Sequence, residues 1–314
     1  MIDQLLQEPI QIAPWILLSL GGFVGALSGL LGVGGGVLMT PALHILGLPM
    51  PLAVGTTLTQ MVASSISGTI KHHSQANVSW PLVLAFGLPG VLGVLGGKEL
   101  MVFVAHKPQL MAKLGLIYAG FLVLMAGLMA KRELAPKGSS GRRSIWKVGP
   151  RWSQGQGLYE IYYLPCIFFG VLIGVVSGLT GLGGGFFYMP IMSQLMDMPL
   201  KVSVGSSLGI VVISSIVGAT SYGFAGMSDL NMAAMIAVGS IVGSVLGATA
   251  TQFVQGRRLK LMFATLVLMA AISMVFKSYG HMNLSLGILF ISGFSLVLVA
   301  MTTAIQNYLS MANK

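Results

Sequence analysis

The sequence predicts an all-α membrane protein that crosses the bilayer many times and is built from two repeated halves. Three observations predict this fold. Of the 314 residues, only 8% are charged and 55% are hydrophobic, whereas soluble domains carry about 25% charged residues. The 43 glycines and 21 methionines are typical of closely packed membrane helices. A glycine-rich motif also occurs twice in the chain, once in each half.

Apolar stretches alternate with short polar connections along the whole chain. Most of them are long enough for a membrane-spanning helix, which needs about 20 residues. They cover residues 14–31, 37–48, 52–70, 80–97, 109–130, 162–180, 186–197, 202–222, 231–253, 260–276 and 284–305. The stretches 37–48 and 186–197 are too short to cross comfortably, and each follows a run of glycines, which interrupts a helix. We therefore expect 14–48 and 162–197 to be helical hairpins with the glycines at the tip.

The two halves of the chain repeat one another. Residues 25–36 and 174–185 agree at 8 of 12 positions, and residues 54–68 and 204–218 agree at 8 of 15. The offset is 149 residues in the first block and 150 in the second, and scattered matches between apolar sequences would not keep one offset. The sequence predicts a first repeat over 14–130, a second over 162–277, and an extra C-terminal helix with a tail over 278–314.

The basic residues predict how the halves are oriented. Segment 131–161 carries seven Lys and Arg residues and is expected to be a cytosolic loop, whereas residues 1–13 carry none and are expected to be a non-cytosolic tail. A hairpin followed by three spans crosses the membrane an odd number of times, so the two repeats would have inverted topology. Inversion places 13 Lys and Arg residues in the cytosol and 3 outside, against 9 and 7 for parallel repeats. This pattern predicts a multi-pass protein of the cytoplasmic membrane.

The composition excludes several other kinds of function. A single cysteine, Cys166, excludes a disulfide framework and a cysteine-cluster metal site. We expect no metal, no cofactor and no catalytic residue, and no nucleic-acid partner because the basic residues form no stripe with interleaved aromatics. All seven carboxylates fall at or outside the predicted span ends. This placement argues against a cationic substrate and against Na⁺ or H⁺ coupling through Asp or Glu.

The glycine tips are the predicted substrate site. A helix that begins after the glycines exposes unpaired N–H groups and the positive end of its dipole, and glycines let an anion approach the backbone. In transporters with inverted repeats, such broken segments meet near the membrane midplane. The predicted substrate-binding residues are Gly34, Gly35, Gly36, Thr56, Thr57, Gln60, Gly183, Gly184, Gly185, Ser206 and Ser207. The alternative is that the small residues serve close helix packing alone.

Three further polar positions have two interpretations each. His44 is a candidate for proton coupling, and the alternative is a packing histidine with satisfied hydrogen bonds. Ser28 and Ser177 precede the tips and could contact substrate or bond the backbone of their own helices. His72 and His73 follow Lys71 at a predicted cytosolic helix end, where we expect both to be solvated.

The tips also carry a family resemblance. The strings GLLGVGGGVLMTPAL (29–43) and GLTGLGGGFFYMPIM (178–192) resemble the paired signature of the sulfite exporter TauE/SafE family, also described as toluene-sulfonate uptake permease-like. The resemblance covers nearly the whole chain. It implies a small anionic substrate, because members of this family are implicated in moving sulfite and organosulfur anions across the membrane.

Together these observations predict a secondary transporter rather than an enzyme. It would move a small anion, sulfite or an organosulfonate-type compound, across the membrane by alternating access, with the lipid bilayer as its surroundings. An anion channel or facilitator remains open, because broken helices also occur in channels. An intramembrane hydrolase using Ser28 or Ser177 would need a base within reach, and His44 is the only intramembrane candidate. The direction, the coupling ion and the oligomeric state, a homo-oligomer included, are left open.

Overall fold

The computed structural model describes residues 12–107, 151–154, 159–196, 198–254 and 256–281, with isolated positions between 110 and 127 and between 284 and 302. Most of the described residues are helical. The helices are α1 (Pro14–Leu31), α2 (Gly36–Ile45), α3 (Met50–Ser74), α4 (Trp80–Ala105), α5 (Tyr163–Thr180), α6 (Gly185–Pro190, followed by a π-helical turn over Ile191–Leu195), α7 (Leu200–Phe224), α8 (Leu230–Ala250) and α9 (Gly256–Ser278).

Five of the described helices are long and apolar enough to cross a membrane: α1, α4, α5, α7 and α8. The prediction of a helical membrane protein is therefore confirmed. Helix α2 is apolar but has only ten residues, which is about half the length of a spanning helix. The predicted span 109–130 and the C-terminal segment 278–314 lie largely outside the described residues, and so do the N-terminal residues 1–11.

A short antiparallel ribbon lies within the segment predicted as a basic loop. Strand β1 (Arg151–Gln154) pairs with β2 (Tyr159–Tyr162), with Arg151 opposite Tyr162 and Gln154 opposite Tyr159. No strand was expected in this segment. The aromatic and β-branched residues of Tyr159–Tyr162 were the available signal for β structure, but a run of four residues is too short to distinguish from a loop.

Helices α1 and α8 approach each other closely through glycines on both facing surfaces. At six glycines of this interface, an added methyl group would overlap backbone atoms of the other helix. In α1 the glycines Gly21, Gly25 and Gly29 face the carbonyls of Ile236, Ser240 and Ser244, and in α8 the glycines Gly239, Gly243 and Gly247 face the carbonyls of Leu18, Gly22 and Ala26. Because both series advance together along the two helices, α1 and α8 run parallel.

Helices α4 and α5 repeat this interface at corresponding positions of the two halves. Gly93 and Gly97 of α4 face the carbonyls of Val171 and Val175, and Gly170, Gly174 and Gly178 of α5 face those of Phe86, Gly90 and Val94. The glycines of α5 stand 149 residues after those of α1. The first helix of each repeat therefore packs along the fourth helix of the other repeat, so the halves are intertwined rather than side by side.

Helices α3 and α7 form the centre of the described core. They run antiparallel, because Leu58 contacts Gly218 while Leu208 contacts Gly68. Helix α3 also packs on α8, and α7 packs on α4. Each central helix therefore packs on helices of the other repeat, and the short helices α2 and α6 pack on the central helices of their own repeats, α3 and α7.

We expect Gly243→Ala to destabilise the protein. The added methyl group would overlap the Gly22 carbonyl of α1, and a backbone cannot move aside as a flexible side chain can. The expected loss in the free energy of unfolding is about 1–3 kcal/mol, as for other overpacked positions. Thermal unfolding of the detergent-purified variant measures it.

Gly96→Ala in α4 is the matched control. No atom of the described residues lies within 4 Å of the position that its methyl group would take. Alanine favours the helix over glycine by about 1 kcal/mol, so this variant should be at least as stable as the parent protein. Equal melting temperatures for Gly243→Ala and Gly96→Ala would contradict the close-approach interface.

Candidate functional site

The structure brings the two glycine tips together in the centre of the protein. Gly36, at the start of α2, faces the carbonyl of Gly181. Gly185, at the start of α6, faces the carbonyls of Gly32 and Val33. All of these residues are buried. The backbones of the two tips are therefore in direct contact, with no side chain between them at these positions.

Both tips depend on the conformational freedom of glycine. Gly34 and Gly35 have φ angles of 79° and 86°, and Gly183 and Gly184 have angles of 70° and 76°. This left-handed region costs other residues about 1–2 kcal/mol each. The turn sends the chain back into the core as α2 or α6, and no side chain caps the start of either helix. The first N–H groups of α2 therefore point into the protein centre without a side-chain acceptor.

Two apolar side chains occupy the space beside the tips. Met61 of α3 and Val211 of α7 are completely buried. A methyl group on Gly34 would lie 2.6 Å from Cε of Met61 and 2.7 Å from Cγ1 of Val211, and one on Gly183 would also contact both side chains. Met61 and Val211 correspond in the repeat, so the centre of this conformation is closed by an equivalent residue from each half.

Three of the four predicted hydroxyl groups form hydrogen bonds within the protein. Oγ1 of Thr56 accepts from the backbone N–H of Asp229 at 2.9 Å, and Oγ of Ser206 accepts from that of Ser79 at 2.9 Å. Oγ of Ser207 donates to the carbonyl of Gly32 at 2.7 Å. Thr56 and Ser206 therefore join α3 and α7 to the starts of α8 and α4.

Thr57 differs from these three residues. Its Oγ1 is buried and has no hydrogen-bond partner within the part of the chain that the structure describes. The corresponding Ser207 uses its hydroxyl group to bind the tip of the first half. Of the predicted hydroxyls, Thr57 is the one still available to a ligand.

Unpaired polar groups are concentrated beside Gly35. Nε2 of Gln60 and Cβ of Ser28 each lie 3.8 Å from the position of a methyl group added to Gly35. Nε2 of Gln60 and Oγ of Ser28 are buried and lack a partner among the described residues. Oγ of Ser240 lies 3.2 Å from Oε1 of Gln60 and 3.1 Å from the carbonyl of Ala237, and in this placement of the amide Nε2 is the free group. Because a buried unpaired donor costs about 1–3 kcal/mol, this cluster is typical of a ligand site.

The corresponding place in the second half is filled by an aromatic ring. A methyl group on Gly184 would lie 2.7 Å from Cε2 of Tyr188 and 2.9 Å from Cγ2 of Ile173. The hydroxyl of Tyr188 donates to the carbonyl of Gly170 at 3.4 Å. The position equivalent to Gln60 is the buried Ile210. Gly184 therefore lies against Tyr188 and Ile173, although the backbone of this tip matches that of the first. The neighbouring carbonyl of Gly183 accepts a 3.0 Å hydrogen bond from the hydroxyl of Ser214.

His44 lies at the end of α2 that is remote from the tip. It is eight residues from Gly36, which is roughly 12 Å along the helix. Its Nδ1 forms a 2.8 Å hydrogen bond with the carbonyl of Leu48, which satisfies the end of the helix. This contact is the one expected of the packing interpretation.

The prediction that His72 is solvated is wrong. The side chain is completely buried, and its Nε2 lies 2.9 Å from the carbonyl of Gly29. In the second half the hydroxyl of Tyr222 donates to the carbonyl of Gly178 at 2.7 Å. Both side chains fix a central helix to the end of its own half's first helix. Their shared place in the repeat, 150 residues apart, was the signal that sequence reasoning missed.

A central polar cluster enclosed by helices that can span a bilayer defines a membrane transporter. The described residues contain no group of three His, Cys, Asp or Glu side chains that could hold a metal ion. Residues 17–274 match the family model of the sulfite exporter TauE/SafE. The chain belongs to this family.

Similar proteins from distant microbes are named as transporters. The chain is 29% identical over 266 residues to a probable membrane transporter protein of Xylella fastidiosa. The aligned residues cover 83% of this chain and 95% of the relative. It is 29% identical over 270 residues to the probable membrane transporter protein YjnA of Bacillus subtilis, and the aligned residues cover 82% of this chain and 98% of YjnA. A probable membrane transporter protein of Methanocaldococcus jannaschii is 28% identical over 268 residues, and the aligned residues cover 80% of this chain and 91% of that protein. No solved structure matches the chain.

We expect Thr56→Val to lower stability. Valine has nearly the shape of threonine but cannot accept the hydrogen bond from the N–H of Asp229 at the start of α8. The unpaired N–H should cost about 1–2 kcal/mol in the free energy of unfolding, measured by thermal unfolding. In the control Thr220→Val, the lost hydroxyl is exposed and bonds only carbonyls of its own helix, so the change should stay within about 0.5 kcal/mol. Equal effects would contradict the role of Thr56 in joining the halves.

Proposed function

We propose that the protein is a secondary transporter that moves a small anion, sulfite or an organosulfonate-type compound, across the cytoplasmic membrane by alternating access. The observation that carries this proposal is the uncapped start of α2 beside the unpaired Nε2 of Gln60 and Oγ of Ser28. A helix start attracts anions, and unpaired N–H and O–H groups need an acceptor. Membership of a family described as sulfite exporters agrees with this sign of charge.

The proposed substrate contacts belong to the first half of the chain. They are the backbone of Gly34, Gly35 and Gly36 together with the side chains of Thr57 and Gln60. For Gly183, Gly184 and Gly185, the ring of Tyr188 favours a packing role. For Thr56, Ser206 and Ser207, the hydrogen bonds to backbone groups favour a role in holding the halves together.

The transport mechanism that we propose uses inverted repeats. Support comes from helix direction: α1, α3 and α8 run one way, whereas α4, α5 and α7 run the opposite way. Corresponding helices of the two halves, such as α1 and α5, therefore point in opposite directions. Two intertwined units of this kind could rock against each other and expose one central site to either side in turn.

Contacts at one end of the bundle support the proposed orientation. Nε2 of Gln75, after α3, donates to the carbonyl of Ala248, and Nζ of Lys201, at the start of α7, donates to that of Gln252. This end also carries Lys71. We propose that it is cytosolic, together with the basic segment 131–160, and that the N-terminus lies outside.

Cysteine labelling tests this orientation. Ser74→Cys and Gln252→Cys should react with an impermeant maleimide from the cytosolic side, and His106→Cys at the end of α4 from the outer side. All three positions are exposed, whereas the native Cys166 is buried and should react little. Labelling of positions 74 and 106 from the same side would contradict the orientation.

The closed centre favours a carrier over a channel. In this conformation the buried side chains of Met61 and Val211 pack against both tips, and we propose that an anion passes only after the halves move. A channel would need a continuous path in one conformation. A hydrolase gains no support, because Oγ of Ser28 and of Ser177 has no hydrogen-bond partner among the described residues and therefore no base in contact.

Flux measurements in proteoliposomes test the transport function. Unlabelled sulfite or methanesulfonate inside the vesicles should accelerate uptake of the labelled anion, because a carrier exchanges substrates whereas a channel does not. Gly35→Ala should reduce this exchange about tenfold or more, because its methyl group would enter the proposed site. Absence of any anion flux from vesicles containing folded protein would contradict the proposal.

Gly226→Ala is the matched control for backbone strain. Gly226 has a φ angle of 67°, so alanine is strained there as it is at Gly35. Within the part of the chain that the structure describes, no atom lies within 4 Å of its added methyl group. Exchange by this variant should equal that of the parent protein. An equal loss in both variants would show that strain, and not occupation of the site, reduced transport at Gly35.

A further inference from the structure

We propose that the protein binds one substrate ion per chain, at a site formed by Ser28, the start of α2 and Gln60, and that this site takes the singly charged form of a sulfur oxyanion. The inference rests on the proposed transport function. It narrows that function to one of the two tips and to one charge state of the ligand.

The groups at this site are donors. Ser28 offers its hydroxyl hydrogen, Gln60 offers the two hydrogens of Nε2, and α2 offers the N–H groups of its first turn. The acceptor of Gln60 is already occupied, because Oε1 receives the hydroxyl of Ser240. A ligand that satisfies donors from three directions must present several acceptor oxygens. Sulfonates and hydrogensulfite have three oxygens on one sulfur and meet this requirement.

The second half keeps the serine and the uncapped helix start but lacks the other parts of this arrangement. Tyr188 stands in place of Met39, and its ring lies against Gly184. Ile210 stands in place of Gln60, and Gly90 stands in place of Ser240, which orients the amide. Oγ of Ser177 is also unpaired, but it has no amide beside it. The repeat therefore provides two matching backbones and only one ligand site.

The charge of the ligand follows from the neutral donors. No Lys, Arg, Asp or Glu side chain is buried within the described part of the chain. The cost of removing an ion from water rises with the square of its charge, whereas its attraction to neutral dipoles rises only linearly. For a dianion, the desolvation cost therefore increases by more than the attraction to the donors does. Sulfate and doubly charged sulfite should bind much more weakly than a sulfonate or hydrogensulfite.

One titratable side chain reaches the neighbourhood of the site: Nε2 of the buried His72 lies 2.9 Å from the carbonyl of Gly29, which follows Ser28. The others lie farther away. Helices α1 and α8 carry none. On α2 the only one is His44, and on α3 they are Lys71, His72 and His73, at least eleven residues or roughly 16 Å beyond Gln60. On α7, Lys201 and Tyr222 lie near the two ends. A pH dependence shown by sulfite and not by methanesulfonate would reflect the protonation of the ligand, because titration of His72 would change the binding of both anions.

Isothermal titration of the purified full-length protein tests the charge state. Methanesulfonate, which stays singly charged, should bind equally in mildly acidic and mildly alkaline buffer. Sulfite should bind at least about tenfold more tightly in the acidic buffer, where hydrogensulfite predominates. Sulfate should not compete with methanesulfonate. Equal affinity for sulfate and methanesulfonate would overturn the inference on charge and leave anion transport standing.

Two variants and a matched control test the location. Gln60→Ile introduces the residue of the second half, and Ser28→Ala removes one donor, so methanesulfonate affinity should fall about tenfold or more in each. Ser177→Ala removes the corresponding unpaired hydroxyl of the second half and should leave affinity unchanged. The melting temperature of each variant without ligand reports its folding, and Gln60→Ile should be at least as stable as the parent because it removes an unpaired buried group.

The outcomes separate the inference from the transport function. If Ser177→Ala weakens binding as much as Ser28→Ala, or if folded Gln60→Ile binds normally, the single-site inference is wrong while anion flux in vesicles still supports transport. If folded parent protein binds none of the three anions and carries none across vesicles, the proposed function itself fails.

Discussion

The close approach of helix backbones at glycine faces is the constraint on which this structure depends. At each of two interfaces, α1 with α8 and α4 with α5, carbonyl groups lie where any side chain would stand. Helices in lipid gain little from burying apolar surface and associate mainly through packing of this kind. Because each interface joins one repeat to the other, the halves cannot separate as independent domains. This packing of each repeat on the other holds the tips, the central helices and the polar cluster in place.

A symmetric framework with an asymmetric centre follows from the duplication. The turn at Gly34 and Gly35 is reproduced at Gly183 and Gly184 with nearly the same φ angles, because every residue in both turns must avoid steric overlap. The side chains around the turns are under no such restriction. One half holds Gln60 and Ser28 without partners, and the other holds Tyr188 and Ile210 in contact with their neighbours. Backbone geometry persists in both copies, whereas the chemistry of binding is concentrated in one.

The sequence predicted the membrane class, the broken segments and the family, because these depend on local composition and on strings of neighbouring residues. It could not predict that Thr56 would bond Asp229, since the two residues are 173 positions apart and no local pattern links them. For the same reason it treated four hydroxyls as equivalent, although only Thr57 is unpaired. The burial of His72 was missed because its polar neighbours in sequence suggested water. The asymmetry of the tips does have a sequence signal, because Tyr188 occupies the position in the second repeat that Met39 occupies in the first.

A core whose described part buries no carboxylate, lysine or arginine side chain has an electrical consequence. No ionised side chain stands beside the site to travel with the ligand, so a monoanion crossing alone carries one full negative charge through the membrane field. The free energy of that transfer changes by about 2.3 kcal/mol for each 100 mV of membrane potential. In a cell whose interior is negative, the field drives an anion outward. Uncoupled exit would proceed downhill electrically, and uptake would need a concentration gradient, an exchanged anion or a co-transported cation to offset this electrical cost.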